Sequence, residues 1–245
     1  MKTFLAACLL LIGLPAMAGE IVVLSSQGVT GVMESLIPEF EKLSGDKLVV
    51  KFGVSGAIKK EIDEGAFCDV AILARDQLDA LAEQSKIVAG SPTNLARSGV
   101  GIAIKAGAAK PDLADKEAVK RLFLQSSGIA YTLGGASGVY FQKLIKEWGI
   151  EEQLKGRLHP QPAGRSAEQV AKGDSEIAIQ QISELQGVPG TEVAGPLPPD
   201  LQIYTIFAAA ISKDAKNPKG AKALIDFLSD PQHRSLIEAK GMQPG

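Results

Sequence analysis

The stretch that decides the fold runs from residue 47 to residue 60 and reads KLVVKFGVSGAIKK. The β-branched and apolar run Lys47 to Phe52 predicts a strand, and residues Ala57 to Glu64 predict a short helix. The turn Gly53-Val54-Ser55-Gly56 lies between them. Glycines let a backbone turn sharply, and the N–H groups that open a helix have no partner inside it. We therefore expect a strand, a tight turn and a helix that begins with unpaired donors.

The same arrangement returns in the second half of the chain. Leu133-Gly134-Gly135-Ala136-Ser137-Gly138-Val139 follows a predicted strand, opens a predicted helix and shares Gly-x-Ser-Gly with the first stretch. A helix N-terminus carries about half a positive charge, so two such turns form a pair of anion clamps. Each serine alternatively serves only as an N-cap. The presence of two copies, one in each half, favours ligand binding by Ser55 and Gly56 and by Ser137 and Gly138.

Outside these turns the chain alternates predicted strands with predicted helices in two series. The first series begins with the strand Glu20 to Leu24 and has Asp69 to Ala74 as its last strand. The second begins at Val100 to Lys105, passes a Pro- and Gly-rich segment from Gly187 to Asp200, and continues with the apolar run Ile203 to Ile211. Such alternation predicts an α/β fold with mostly parallel sheets and helices on both faces. Two series predict two lobes with a ligand between them.

Further candidates for ligand contact lie where predicted strands end. The turn Ser25-Ser26-Gln27-Gly28-Val29-Thr30 follows the first strand, and either ligand contact or a plain N-cap at its end explains it. Arg75 follows the third strand, and Arg165 precedes a short helix. A guanidinium grips a carboxylate with two parallel hydrogen bonds, although most arginines are solvated surface charges. Gln180 and Gln181 end a strand, and alternation sends one of them towards the cleft.

The first eighteen residues predict export from the cytoplasm. Met1-Lys2-Thr3 is a short positive start, Phe4 to Leu14 is almost entirely apolar, and Pro15 to Ala18 supplies small residues typical of cleavage before Gly19. The apolar run is shorter than the roughly 20 residues that span a bilayer. Cys8 lies in a stretch that resembles a lipoprotein cleavage box, but only four residues precede that box. We therefore expect a cleaved signal peptide, residues 1–18, and a periplasmic location.

Composition excludes several classes of protein. The chain carries 26 Lys plus Arg and 28 Asp plus Glu. Removal of residues 1–18 takes away Lys2 and no acid, which leaves 25 basic against 28 acidic residues and a net charge of −3. This is not the charge of a nucleic-acid-binding protein. Only Cys68 remains, so no intramolecular disulfide is expected. We expect a monomer with no stable membrane insertion after cleavage.

Signals for catalysis are weak. The two histidines, His159 and His233, lie in no motif with a carboxylate or a cysteine, and no cluster has metal-ligand spacing. Gly-x-Ser-Gly also differs from the Gly-x-Ser-x-Gly nucleophile elbow. No cofactor or metal is therefore expected. The acidic residues after the first Gly-x-Ser-Gly turn are interpreted as a solvated helix face and end: Glu61, Asp63, Glu64 and Asp69.

The order of these motifs resembles the periplasmic molybdate-binding proteins, a branch of the two-lobed solute-binding proteins of ABC importers. The resemblance covers essentially all of residues 20–245. The residues that carry it are Ser25-Ser26-Gln27-Gly28-Val29-Thr30, Lys51-Phe52-Gly53-Val54-Ser55-Gly56-Ala57, Asp69-Val70-Ala71-Ile72, Ala136-Ser137-Gly138-Val139-Tyr140, Val170-Ala171-Lys172-Gly173-Asp174 and Asn217-Pro218 through Phe227-Leu228-Ser229. It implies a type II periplasmic-binding-protein fold with two hinge crossovers. Lobe 1 is then residues 19–98 plus 205–245, and lobe 2 is residues 99–204.

The resemblance also implies a small anion held by neutral donors and an ABC permease as partner. Two serine hydroxyls and a tyrosine hydroxyl are prominent among the family's donors. Ser55 matches the second serine, whereas Gly28 stands at the first and Gln181 at the tyrosine. Ser26 is then the candidate for the first hydroxyl, and Ser137 stands where a small residue donates its backbone N–H.

These departures from the family pattern bear on the ligand. A tetrahedral oxyanion is bound by neutral dipoles, whereas Arg75, with Arg165 as a second, suits planar carboxylates. We therefore expect an organic di- or tricarboxylate, aconitate-like in shape, in preference to molybdate or tungstate, and a binding protein, not an enzyme. Two other classes remain open. A secreted serine hydrolase using Ser55 or Ser137 would need a general base nearby, and the export signal argues against the ligand-sensing domain of a transcription regulator.

Overall fold

The computed structural model describes residues 19–245. The predicted signal peptide and Cys8 lie outside the described residues. The strands are β1 Glu20–Ser26, β2 Lys47–Gly53, β3 Val70–Ala74, β4 Thr93–Lys105, β5 Ile129–Thr132, β6 Leu158–Gln161, β7 Ile177–Gln181, β8 Thr191–Pro196, β9 Tyr204–Ile211 and β10 Gln243–Pro244. The helices are α1 Thr30–Ser44, α2 Ser55–Asp63, α3 Arg75–Glu83, α4 Lys116–Gln125, α5 Ala136–Glu147, α6 Ala167–Lys172, α7 Ile182–Leu185, α8 Pro218–Leu228 and α9 Arg234–Ala239. Over residues 19–245, none of these helices has the length and apolar character needed to cross a membrane.

The strands form a curled sheet in two halves. In the first half the order is β2-β1-β3-β9-β4, in which β2, β1 and β3 are parallel and β9 runs antiparallel to both of its neighbours. In the second half the order is β4-β7-β5-β6, with β7, β5 and β6 parallel and β4 antiparallel to β7. The predicted two-lobed α/β fold is confirmed. Each parallel set is extended by antiparallel strands where the chain passes between the halves.

Strand β4 belongs to both halves. Its residues from Thr93 to Gly99 pair with β9, whereas Val100 onwards pairs with β7 and β8. The chain crosses again between β8 and β9, and Gln202 in that segment bonds the backbone of Val100 through both ends of its amide, at 2.7 and 3.0 Å. The two crossing segments are thus held side by side.

Alternation along the strands places a separate core on each face of the first half. Val23 and Ile72 point to the face that α1 and α8 cover, and Leu24 and Leu73 point to the face that α2 and α3 cover. These side chains are almost fully buried. Because burial of one such side chain contributes about 1.5 to 3 kcal/mol, both faces hold the strand ends in place.

The second half repeats this arrangement. Phe123 of α4 and Phe141 of α5 meet edge to face, with ring centroids 5.3 Å apart, over β5 and β7. The opposite face carries small residues, Ala130 and Ala178, which let α6 approach closely through Val170. Each half thus has its own pair of cores, one on each face of its sheet, as expected for two lobes.

Three parts of the structure differ from the sequence expectations. Strand β6 was not predicted, and β8 lies inside the Pro- and Gly-rich segment from Gly187 to Asp200, for which no strand was predicted. Strand β4 begins at Thr93, seven residues before the predicted start at Val100. Such strands are specified by their partners across the sheet more than by local pattern.

Asp69 is a correction to the sequence interpretation. It was assigned to a solvated surface, but its side chain is buried at the start of β3. One carboxylate oxygen accepts from Val22 N at 2.8 Å, and the other accepts from Lys216 N and Asn217 N at 2.7 and 2.9 Å. Asp69 therefore ties β1 and β3 to the turn that starts α8, because buried backbone N–H groups need an acceptor.

Candidate functional site

A cleft of about 530 Å³ lies between the two halves of the sheet. It lies at the carboxyl ends of β1, β3, β5 and β7, which is where ligands bind in α/β folds. Its polar lining residues are Ser26, Gln27, Ser55, Arg75, Asp76, Gln77, Thr132, Ser137, Gln180, Gln181, Glu184, Tyr204 and Thr205. Apolar side chains of the lining include Val139, Ile206 and Phe207.

The first Gly-x-Ser-Gly turn opens α2 at the cleft. Ser55 is the first residue of α2, and the helix has no side-chain cap, so its hydroxyl is not used to cap the helix. Ser55 lines the cleft, and its N–H belongs to the first helical turn, which has no intrahelical acceptor. Gly56 lies behind it against the opposite turn, where an added Cβ would be 3.4 Å from Gly134 O. The two predicted turns therefore meet across the cleft.

The second turn opens α5 on the facing wall. Ser137 is 1% exposed, lines the cleft and is likewise not engaged in a side-chain cap. Gly138 does not line the cleft. A Cβ at Gly138 would lie 1.8 Å from Thr132 O, so only glycine lets α5 pack this closely on β5. Gly138 brings the helix start, and with it Ser137, to the strand end.

The turn after β1 has both of the roles that its sequence suggested, because it lines the cleft and caps a helical turn. Ser26 lines the cleft, and its hydroxyl accepts from Gly28 N at 3.2 Å as the cap of the 3-10 turn Gln27–Val29. A Cβ at Gly28 would be 2.3 Å from the Phe207 ring, which fills the space that a side chain there would enter. Phe207 is itself a lining residue and 3% exposed. Where the resembled family has its first serine, this protein has Gly28, and the ring of Phe207 forms the cleft wall there.

Arg75 lies at the cleft edge as the first residue of α3. Its Nε donates to Asp79 Oδ1 at 2.9 Å and one terminal nitrogen donates to Asn94 Oδ1 at 3.0 Å. Its side chain is 40% exposed, so solvent and a ligand can both reach it. The carboxylate of Asp79 offsets part of the positive charge of the guanidinium, and the bond to Asn94 fixes its orientation.

Arg165 is not among the residues that line the cleft. Its Nε donates to Glu184 O at 2.8 Å, and a terminal nitrogen donates to Gln186 O. The loop before α6 places the guanidinium against the backbone of α7 and the residue after it, where two of its five N–H donors are used. Instead of reaching the ligand space, as its sequence context predicted, Arg165 fixes α7.

Both glutamines at the end of β7 line the cleft, and both are fully engaged. Gln180 accepts from the backbone and hydroxyl of Ser166 and donates to Thr132 Oγ1 at 2.9 Å. The amide of Gln181 satisfies all its neighbours when its oxygen accepts from Thr205 and its nitrogen donates to the backbone of Ser98. Gln181 therefore links β7 to the two crossing segments.

Gln27 forms a reciprocal bond across the cleft that the sequence did not suggest. Its Nε2 donates to Gly164 O at 3.0 Å, and its Oε1 accepts from Gly164 N at 3.2 Å. Gln27 follows β1 and Gly164 precedes α6, so the pair joins the two halves of the molecule.

Glu184 is the lining residue whose chemistry stands out, and sequence reasoning missed it. It lies on α7, directly after β7, and is 8% exposed. Burial raises the pKa of its carboxyl to about 7, against the opposing effects of Gln27, the backbone of Gln181, the positive charge of Arg165 and then Gln180. The available signal was position, because Glu184 follows the carboxyl end of a buried strand.

Comparison with known proteins identifies the family. Residues 21–243 match a sequence model of the family described as bacterial extracellular solute-binding protein. The chain is 28% identical to an aconitate isomerase of Pseudomonas sp over 254 aligned positions, which cover 100% of this chain and 97% of that protein. It is 27% identical to a molybdate-binding protein of Azotobacter vinelandii, covering 94% of this chain and 92% of that protein.

Solved structures agree on the fold. The periplasmic molybdate-binding protein of Azotobacter vinelandii superposes with a TM-score of 0.76, covering 92% of this chain and 99% of that chain at 19% identity. At this identity the likeness shows the fold alone. The predicted resemblance to molybdate-binding proteins is confirmed.

Proposed function

This chain belongs to the bacterial extracellular solute-binding proteins, in the molybdate-binding-protein-like branch that serves ABC transporters, and we propose that it captures a small organic carboxylate in its cleft. In this proposal residues 1–18 direct export to the periplasm and are removed. Residues 19–98 plus 205–245 form lobe 1, and residues 99–204 form lobe 2. The monomer hands its ligand to a membrane permease.

The choice of ligand rests on the ring of Phe207, which lies against Gly28 and forms part of the cleft wall. An inorganic oxyanion has oxygen atoms on every side and gains from a hydroxyl donor at this wall, whereas an aromatic ring offers it nothing. A ligand with a carbon skeleton gains from contact with the ring, since apolar burial contributes about 25 cal/mol per Å². Phe207 leaves no room for a side chain at position 28.

Arg75 supports the same choice. Its guanidinium lies at the cleft edge, where a second carboxylate of an extended ligand would lie if the first is held by the helix starts. A planar guanidinium matches a carboxylate geometrically. Arg165, which does not line the cleft, plays no part in this contact.

The size of the cleft also fits an organic anion. Its volume of about 530 Å³ falls within the roughly 300 to 1,000 Å³ of small-molecule sites. A single tetrahedral oxyanion would leave most of this space to water. The relative named aconitate isomerase covers the whole chain, which makes an unsaturated tricarboxylate of the aconitate type the leading candidate.

The two helix starts account for anion binding in general. Ser55 and Ser137 present hydroxyl and N–H donors from opposite halves, and each helix contributes partial positive charge. These donors also suit molybdate or tungstate, which remains the second candidate because a molybdate-binding protein is 27% identical. The two candidates differ in their use of Phe207 and Arg75.

Ligand capture then closes the cleft as a hinge. Gln181 and Gln202 tie the crossing segments together, so rotation of the lobes is concentrated there. The Gln27–Gly164 pair stabilises the closed arrangement by direct bonds between the two walls. A permease that recognises the closed form would discriminate loaded from empty protein.

A serine hydrolase is a weaker candidate for this cleft. Activation of Ser55 or Ser137 would require a base within hydrogen-bonding distance. Both serines line the cleft, but among the described residues neither hydroxyl is hydrogen-bonded to a histidine or a carboxylate. Binding without hydrolysis is therefore the proposed role.

The test is thermal unfolding of the mature protein with a panel of anions: molybdate, tungstate, sulfate, phosphate, succinate, citrate and both aconitate isomers. A ligand at about 100 times its dissociation constant stabilises by about 2.7 kcal/mol, which shifts Tm by roughly 5 to 10 °C for a chain of this size. We expect the shift with carboxylates. A shift confined to molybdate and tungstate would refute the carboxylate assignment.

A further inference from the structure

We propose that Glu184 makes the cleft catalytic: its carboxyl group moves a proton between two carbon atoms of a bound unsaturated carboxylate, so that the double bond migrates. This rests on the proposed binding of such a carboxylate in the cleft and adds a reaction to it. No step requires a cofactor or a second substrate.

The position of Glu184 is unexpected for a site that only binds anions. Its side chain lines the cleft and is 8% exposed, so water screens its charge poorly. Arg165 is the cation beside it, yet that guanidinium donates to the backbone oxygen of Glu184 and to Gln186. An ionised carboxylate here would repel an anionic ligand, which makes the residue a disadvantage for binding alone.

A buried carboxyl group of this kind is, by contrast, well suited to transfer a proton. Burial holds the pKa of Glu184 at about 7, so its acid and base forms are both populated near neutral pH. General acid–base catalysis is most efficient when the pKa lies near the working pH. The pKa of an exposed glutamate, near 4.3, would leave too little of the acid form to return the proton.

The backbone that carries Glu184 is also held in place, which proton transfer by its side chain requires. Arg165 donates to Glu184 O in α7 and to Gln186 O directly after it, and Gln186 Nε2 donates in turn to Ala239 O at 2.9 Å. Because α7 directly follows β7, Glu184 rests on a buried strand whose last residues are themselves fully hydrogen-bonded. Arg165 thereby fixes the segment of backbone that carries Glu184.

The reaction balances within the ligand and Glu184. The carboxylate of Glu184 takes a proton from the methylene carbon next to the alkene, and that C–H bond breaks. Its electron pair forms a new double bond to the central carbon, while the original double bond gives its pair to the far alkene carbon. Protonated Glu184 returns the proton to that far carbon. Rotation while the charge is delocalised permits either geometric isomer to form.

The negative charge that develops spreads onto the ligand's carboxylates. Ser55 and Ser137 place helix-start N–H groups at the cleft, and Arg75 adds a cation at its edge. Such fixed donors stabilise developing charge without reorganisation. The groups that bind the anion thus also favour its carbanionic intermediate.

The experiment incubates the mature protein with trans-aconitate in D₂O and follows the ligand by ¹H NMR, with calorimetric titration of trans-aconitate in parallel. We expect cis-aconitate to appear and carbon-bound protons to exchange. Glu184→Gln keeps the shape of the side chain without a proton-transfer group, so it should retain binding and lose at least about 100-fold in rate. Glu184→Asp restores a carboxyl group and should regain part of the rate.

The matched control is Glu168→Gln, which removes an exposed carboxyl from α6 and should leave binding and rate unchanged. Binding without isomerisation or exchange would overturn the proton-transfer role and leave the proposed function standing. Isomerisation that Glu184→Gln does not slow would overturn the assignment of Glu184. If no carboxylate binds, the proposed function fails, and the reaction with it. If Glu184→Gln does not fold, Glu184→Met, which has a similar volume and no carboxyl group, is measured in its place, and a wild-type rate for it decides against the role.

Discussion

Replacement of Glu184 by glutamine is expected to make the unliganded protein progressively more stable than wild type as the pH rises. The carboxyl of Glu184 is buried, and its pKa is raised from 4.5 to about 7. Glutamine has nearly the same shape and cannot ionise. The comparison therefore isolates the free energy of placing a negative charge at this position.

The sign follows from proton linkage. Between the unfolded pKa and the folded pKa, the folded protein holds a proton that the unfolded chain has lost, so stability falls as pH rises through this window. The stabilisation that the folded protein gains from holding this proton is fully present below pH 4.5 and is lost as the pH rises above about 7. The rise from 4.5 to about 7, at about 1.4 kcal/mol per pH unit, amounts to about 3 kcal/mol.

Urea unfolding of wild type and Glu184→Gln, measured from about pH 5 to about pH 8, reports this difference directly. The gap in unfolding free energy should widen by about 2 to 3 kcal/mol in favour of the variant across that range. Glu168→Gln, at an exposed site, controls for the loss of a carboxyl elsewhere. A gap of the same size at both ends of the range would mean that Glu184 titrates normally, and the argument from its burial would be wrong.

Three further predictions concern the ligand contact, the helix start and the buried acid. Arg75→Ala should weaken carboxylate binding by about tenfold or more in calorimetry, since a hydrogen bond to a charged group is worth about 1.5 to 3 kcal/mol. The control Arg121→Ala, at an exposed position of α4 outside the cleft, should leave the affinity unchanged. Gly138→Ala should lower the free energy of unfolding by about 1 to 3 kcal/mol and weaken ligand binding, because its Cβ would overlap Thr132 O; unchanged urea midpoint and affinity would contradict this. Asp69→Ala leaves three backbone N–H groups without their acceptor and should cost at least about 3 kcal/mol, and a loss below about 1 kcal/mol in urea unfolding would show that water replaces the carboxylate.

The fold was largely predictable because its signals are local. The run from Lys47 into the turn at Ser55, and its repeat before Ser137, identify strand, turn and helix from neighbouring residues. The family follows from the order of such units. Strand β8 was missed because its pairing with β4 compensates for a composition rich in proline and glycine.

Residues of the candidate site were predictable only where they lie next to a predicted strand, turn or helix. Ser26, Ser55, Arg75 and Ser137 directly follow or open predicted elements, and all four line the cleft. Arg165 has a similar sequence context but turns to the backbone of α7. The direction of a long side chain depends on acceptors that come from other segments.

The sequence by itself determined the α/β order, the two helix starts and the kinship with solute-binding proteins, because periodicity and turn chemistry act between near neighbours. Only the tertiary structure decided that Phe207 fills the space beside Gly28 and that Gln27 bonds Gly164 across the cleft. It also decided that Glu184 is buried in the wall of the cleft. Each of these facts joins residues far apart in the chain, and desolvation and steric exclusion exist only once folding has brought them together.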